Sequence, residues 1–393
     1  MRVKQLEVYV VRLNLKRTVR HASYARRHTD NLVVRCRLDQ GSEGWGEGVP
    51  REYVTGDTIE SCLRLLEQGP LLKQLEQSFD NLREAVHVCE RLDVLGGEKS
   101  PRSGFGNALK CAVELSVLDA VTRAFNKPLS VVAKLLPESQ PLVTRQSKVQ
   151  YSGVATLSSP LKQVLQTLLI RLYGFRHCKA KVGKDESTYL LALKRIRRVL
   201  GSRVDLRVDA NEAWNAEELP QRLERLKKLN ISCVEQPVPN SQIEKLSDIR
   251  GRLPVPVMLD ESLCSLEDAH RAIERAQCDL FNIRLSKCGG FVASLKIAAA
   301  ARAAGIGFQL GCQVGESGIL SAAGRHFATT VAGLLYLEGS YDKYLVRTPL
   351  TQEDLTFGYG GWAPALAGPG LGVHIDTAQL EHCCLQRKSF VLE

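Results

Sequence analysis

Charged residues return through the second half of this chain at an interval that few folds can accommodate. Lys181, Asp209, Glu235, Asp260 and Lys287 follow one another at gaps of 28, 26, 25 and 27 residues. Each closes a short apolar run (CKAKVG, VDLRVDAN, SCVEQP, PVMLDES, LFNIRLSK), and each run is followed by a segment of helical period. One strand, one helix and two turns take about this many residues, since a barrel of eight such units needs roughly 250. Charges at the same point of successive units gather at one mouth of the barrel, the C-terminal strand ends, where the catalytic side chains of such barrels sit. The spacing predicts a β/α barrel whose mouth carries three carboxylates with a lysine on either side.

The rest of the chain supplies a second unit. Residues 1 to about 55 alternate apolar and polar in QLEVYVVRL, NLVVRCRLD and EGWGEGVP, which predicts a small antiparallel meander. From about 57 to 135 the period turns helical, in TIESCLRLLEQ, FDNLREAVHVCERL and NALKCAVELSVLDAVTRAF, with GGEKSPRSG as an interrupting loop. An α+β unit is therefore expected over 1–135 and the barrel over 140–345. The barrel is expected to begin near LVTRQSKVQYSG, with GIGFQLGCQ and LLYLEGS as its seventh and eighth strands. Residues 346–393, with the short strand GLGVHID, are expected to pack back on the first unit.

Composition excludes several classes. The chain of 393 residues, 44% hydrophobic and 24% charged, is too long for one ordinary core and globular in character. No apolar run nears the ~18 residues of a membrane span. The N-terminal MRVKQLEVYVVRLNLKR reads as a strand and not as a signal peptide, so a cytoplasmic protein with no membrane partner is expected. The net charge of +10 is spread over helical faces such as LKRIRRVLG and RLERLKKLN, without any nucleic-acid-binding signature. That argues against nucleic acid, while a positive field favours an anionic substrate. None of the twelve cysteines forms a CxxC pair, so free buried thiols are expected. Cys383 and Cys384 beside His382 read as packing, because nothing nearby completes four zinc ligands.

Asp209, Glu235 and Asp260 offer three hard oxygen donors, a set suited to Mg²⁺, with Mn²⁺ the alternative. Lys181 and Lys287, at the second and sixth strand ends, lie on opposite sides of the mouth. A lysine near a divalent cation and partly desolvated has its pKa lowered enough to act as a base near neutral pH. The cation would stabilise the enediolate left when the proton α to a carboxylate departs. Lys179 shares a face with Lys181 on a period-two strand and is expected to lower the proton affinity of Lys181 through like charge.

KAK (179–181), DAN (209–211), EQP (235–237), DES (260–262) and KCGG (287–290) resemble, in order and spacing, the KxK, D, EQP, DE and KxGG elements of the muconate lactonizing enzyme subgroup of the enolase superfamily. GWGEGVPREYVTGDT and AVELSVLDAVTRAFNKPL resemble its capping domain, and PGLGVHID its closing strand. The resemblance implies a modified TIM barrel, (β/α)₇β, with an N-terminal α+β capping domain completed by the C-terminal segment. It implies Mg²⁺ on Asp209, Glu235 and Asp260, an acid/base pair of Lys181 and Lys287 assisted by Lys179, and Glu261 as partner of the Lys287 ammonium. It further implies a lid over about 15–30, substrate contacts from Arg20, Tyr24, Arg26, Asn211, Glu316 and Glu338, and a homo-oligomer.

Two lysines on opposite faces of an α-carbon permit racemisation or epimerisation, β-elimination, or cycloisomerisation, so specificity contacts must separate them. The lid segment LKRTVRHASYARRHTD is cationic and suits a second anionic group on the substrate. Dipeptide epimerases of the subgroup carry DxD at the eighth strand to grip an ammonium, where this chain has Glu338-Gly339-Ser340. GFQLGCQ lacks the seventh-strand His of the sugar-acid dehydratases. The first reading is accordingly an isomerase of the muconate cycloisomerase type acting on a small anionic carboxylate. The second is an epimerase or racemase of N-acylamino acids or dipeptides, or an o-succinylbenzoate-type dehydratase. A non-catalytic barrel should have lost a metal ligand or a lysine, and none is lost.

Overall fold

The computed structural model describes residues 1–20, 25–97, 100 and 102–392; the expected loop GGEKSPRSG lies partly outside them. The alternating N-terminal runs form β1 (Val3–Arg20), β2 (Ala25–Leu38) and β3 (Glu43–Gly48), an antiparallel meander. A fourth strand, Cys384–Val391, pairs with the free edge of β1, so the chain's end completes the sheet that its start began. This closing strand is not the expected GLGVHID, which makes only isolated bridges at Gly370 and Ile375.

The helix Asn107–Ala124 lies across this sheet. Fourteen of its residues are buried, so the helix is enclosed on every side. Its approach is set by the alternate glycines of β3. A Cβ on Gly44, Gly46 or Gly48 would come within about 2 Å of the helix backbone at Ala120, Ala112 or Ala108. Two residues of strand and four of helix both advance about 6 Å, so the glycine period matches the helix turn.

After β4 (Lys148–Gln150) come β5 (Gly153–Ala155), β6 (His177–Lys181), β7 (Asp205–Asp209), β8 (Ile231–Glu235), β9 (Val257–Leu259), β10 (Leu280–Ile283), β11 (Gly307–Leu310) and β12 (Leu334–Leu337). From β5 to β12 each strand pairs in parallel with the next, giving one eight-stranded sheet. A Ser152 N–H to Leu337 O bond of 2.8 Å brings its two edges together. β4 stands outside the barrel in a ribbon with β13 (Trp362–Pro364), so the barrel begins later than the sequence predicts. Helices fill each crossover, and several start at a side-chain cap: Asp185 accepts from Thr188 N, Ser265 from Asp268 N and Ser317 from Ile319 N. The architecture is a TIM-type barrel capped by an α+β domain.

The capping unit is pinned to the mouth by buried polar groups. Glu47 of β3 accepts from the backbone N–H of Ser317 and Leu320 and from Asn31 Nδ2. Glu114 accepts from Phe291 N and Val292 N, the free donors at the start of the helix Phe291–Ala303. All twelve cysteines are free, and ten are buried. Among the described residues no helix is long and apolar enough to cross a membrane.

Candidate active site

Lys181, Asp209 and Glu235 are the last residues of β6, β7 and β8, and Asp260 is the first after β9. The three acids are fully buried and adjoin at the strand ends. Lys181 alone among the expected catalytic lysines reaches the rim. Its side chain is 29% exposed, and its Nζ lies 3.3 Å from Asn211 Oδ1 and 3.6 Å from Asp209 Oδ2.

Lys179 lies below it, surrounded by carboxylates: 3.1 Å from Glu235 Oε2, 2.8 Å from Glu338 Oε2 and 3.4 Å from Asp209 Oδ2. Despite burial, these acids hold its pKa well above the usual lysine value. Its charge is therefore neutralised locally and does not stand as the unopposed like charge expected beside Lys181. Glu338 is equally committed. One oxygen accepts from Lys179 and the other from the buried Arg207 at 2.7 Å, and these cations overcome burial to hold its pKa low. It belongs to the floor of the site, not to a substrate-facing rim.

Lys287 departs from the expected arrangement. It lies four residues past β10, its side chain is wholly buried, and its ammonium donates to Asp260 O (2.5 Å), Asn282 O (2.9 Å) and Asp260 Oδ1 (2.9 Å). Two of the N–H donors are taken by backbone carbonyls of the wall and the third by the Asp260 carboxylate. Glu261 does not partner it: Glu261 Oε1 accepts from Asn211 Nδ2 at 3.2 Å, and burial with the Asp260 and Asp209 charges pushes its pKa up to about 8.

The side chain that enters the acid cluster from β10 is Arg284. It is the first residue after the strand, as Asp260 is after β9, and shares the inward parity of Asn282, whose Nδ2 donates to Glu235 Oε1 at 2.8 Å. Arg284 Nη2 contacts Asp260 Oδ2 and lies 3.5 Å from Glu235 Oε1. Despite burial, Arg284 and Lys287 hold the Asp260 pKa well below the usual carboxylate range. In the sequence, the charge spacing favours Lys287 over Arg284. Counting two residues on from Asn282 along the inward face is the signal that finds it.

Of the expected substrate contacts, Asn211 is in place beside Lys181 and Glu261. Glu316 accepts from Gln313 N at 2.6 Å and is pushed up to about 8 by burial. The Arg26 guanidinium lies over the Tyr53 ring, 5.5 Å from its centroid. The Arg20 side chain and Tyr24 lie outside the described residues.

Asp209 Oδ2 is buried and accepts no hydrogen bond. Glu235 is pushed up to about 8 by burial and the neighbouring Asp209 charge. Buried carboxylates at adjacent strand ends, one with an oxygen that accepts no hydrogen bond, fit a hard divalent cation in kind. As the side chains stand, Lys179 and Arg284 lie among these oxygens, and among the described residues no three acid, imidazole or thiol groups are gathered as a metal cluster.

A parallel barrel bearing three acids and a rim lysine at successive strand ends is an enzyme scaffold of defined type. Residues 163–379 match the family "Enolase C-terminal domain-like", and the chain belongs to the enolase superfamily. It is an enzyme of the isomerase or lyase kind. It is 27% identical to N-succinyl-L-Arg/Lys racemase of Bacillus cereus over 84% of both chains. It is 30% identical to L-Lys-D/L-Arg epimerase of Methylococcus capsulatus over 87% of this chain and 91% of that one. Dipeptide epimerase from Cytophaga hutchinsonii, solved with Mg and D-Ala-L-Val, superposes with a TM-score of 0.85 at 24% identity, covering 99% of this chain and 100% of that chain. Muconate lactonizing enzyme of Pseudomonas putida shares the fold with a TM-score of 0.81 at 23% identity, covering 98% and 100%.

Proposed function

We propose that this enzyme removes the proton α to the carboxylate of an N-acylated amino acid or dipeptide, with Lys181 as the base. The observation that carries the reading is the rim position of Lys181, partly exposed and adjoining the buried acids. The racemase and epimerase relatives, matched over more than four-fifths of the chain, favour this substrate class. The muconate cycloisomerase reading gives way to it, since that enzyme is similar at the level of fold. The chain has no DxD at the eighth strand; in its place Glu338 is bonded to Lys179 and Arg207, so an ammonium would have to be held elsewhere.

Asp209, Glu235 and Asp260 would hold Mg²⁺, or Mn²⁺ with the same oxygen donors, and the bound cation would supply electrostatic stabilisation of the enediolate. The chain's own residues supply the rest. Lys181 takes the proton at Nζ, Asn211 Oδ1 orients that amine, and Lys179 with Arg207 fixes the charge beneath. The protein as a cytoplasmic homo-oligomer belongs to the same reading. An exposed leucine stripe on the helix Pro160–Leu172 (Leu161, Leu165, Leu169, Leu172) offers an apolar face for a second copy.

The test is loss of the α-proton signal by NMR in D₂O with Mg²⁺, using N-succinyl-L-lysine, N-succinyl-L-arginine, L-Ala-L-Glu and L-Leu-L-Tyr. The wild-type protein is expected to exchange at least one, and Lys181→Met to lose roughly 10²–10⁴-fold in rate. Undiminished exchange by Lys181→Met would remove Lys181 from the chemistry.

A further inference from the structure

We infer that the residue facing Lys181 across the acid cluster is Arg284 and not a second lysine, so that the α-proton is taken and returned on one side only; this rests on the α-proton chemistry proposed above. β6 and β10 are the second and sixth of eight barrel strands and stand on opposite sides of the mouth. Lys181 ends the first, and Arg284 follows the second at the same level, with its guanidinium between Asp260 and Glu235. Lys287 cannot substitute for it at the rim. Its three N–H donors already meet two backbone carbonyls and the Asp260 carboxylate, and turning the ammonium outward would break both carbonyl bonds.

The chemical consequence follows from the side-chain type. A guanidinium stays protonated at any physiological pH and offers five donors in a rigid fork. It can hold a carboxylate by two parallel bonds, but it neither takes a proton nor readily gives one. Inversion at carbon needs an acid or base on each face. Here only Lys181 Nζ exchanges: the α C–H bond breaks as an N–H bond forms, and its electron pair becomes the carbon–carbon π bond of the enediolate. On return the N–H bond breaks and a C–H bond re-forms on the face it left. In D₂O the ammonium swaps its hydrogen for deuterium before return, so label enters with configuration kept. The same one-sided proton removal also serves elimination of a β-leaving group, with the electron pair expelling that group.

The exchange incubations with the four named compounds decide the stereochemistry, read by chiral analysis of the recovered material. The wild-type protein is expected to deuterate with at least tenfold less inversion than exchange. Arg284→Lys, which keeps the charge and adds a transferable proton, is expected to raise inversion at least tenfold. Inversion by the wild-type protein as fast as exchange would overturn the one-sided assignment and leave the α-proton reading standing. No exchange of any compound would overturn the α-proton reading itself. The placement of Arg284 is then decided by titrating Mg²⁺ calorimetrically into Arg284→Met and wild type, folding of both checked by circular dichroism. Loss of the competing guanidinium is expected to tighten Mg²⁺ at least tenfold, and equal affinities would overturn the placement.

Discussion

Lys181 and Lys287 are the same side chain in two settings, and the settings assign them different work. At the rim, Lys181 has one hydrogen-bond partner and partial exposure, so its removal should cost little stability and most of the activity. Lys287 is bonded on all sides inside the wall. Lys181→Met should shift the urea-unfolding free energy by less than about 1 kcal/mol, because its pair with Asp209 is partly exposed and Asp209 keeps Lys179. Lys287→Met should lower it by about 3 kcal/mol or more, because Asp260 loses a buried partner. Comparable stability loss in both would erase the distinction. Glu338 belongs with Lys287. Glu338→Gln leaves Lys179 and Arg207 short of a buried counter-charge and should cost about 3–5 kcal/mol in the same measurement.

At the scale of elements, side chains matter less than which face a residue occupies. On β10 and the residue after it, Asn282 and Arg284 share the inward face, and the turn that follows carries Lys287 into the wall. The cap shows the same logic in β3, where each glycine on one face meets one turn of the helix Asn107–Ala124. Gly46→Ala places a methyl about 2.0 Å from Ala112 O, against backbone that cannot yield as a side-chain tip can. It should cost at least about 1–3 kcal/mol, as overpacking does, in denaturant unfolding. An unchanged midpoint would show that strand and helix can separate without loss.

For the whole molecule, the cap and the barrel meet through carboxylates in dry surroundings. Burial pushes Glu47 and Glu114 up to about 7 from an ordinary 4.5, against opposing hydrogen bonds from Ser317 and Val292. Burial likewise pushes Asp57 and Asp342 up to about 6. Glu235, Glu261 and Glu316, pushed up to about 8, join them, so the folded state holds protons that the unfolded chain releases between about pH 4.5 and 8. Unfolding free energy should fall as pH rises through that window and level off above it. Asp260 and Glu338, held low, titrate beneath the window and do not reverse the sign. Urea titrations from pH 5 to 8 should show this slope, and Glu47→Gln with Glu114→Gln should make it shallower whatever their absolute stability. A stability that climbs with pH over this range would contradict the account.

Much of this is legible in the sequence. A charge recurring every 25–28 residues after an apolar run permits little except a β/α barrel, because the interval is the length of one repeating unit. The acids at three strand ends and Lys181 follow from that interval alone. Periodicity likewise marked the meander and the long buried helix. What it could not decide was anything set by a partner distant in sequence. The strand Cys384–Val391 exists because β1 has a free edge to fill. Lys179 and Glu338 are bound to each other across 159 residues. Arg284, and not Lys287, lies between Asp260 and Glu235 because strand parity and the acids opposite draw it there. Spacing along the chain is a local property and survives in the sequence. Which charge faces which across a closed barrel is settled only when the sheet curls and the buried ions must find opposite partners.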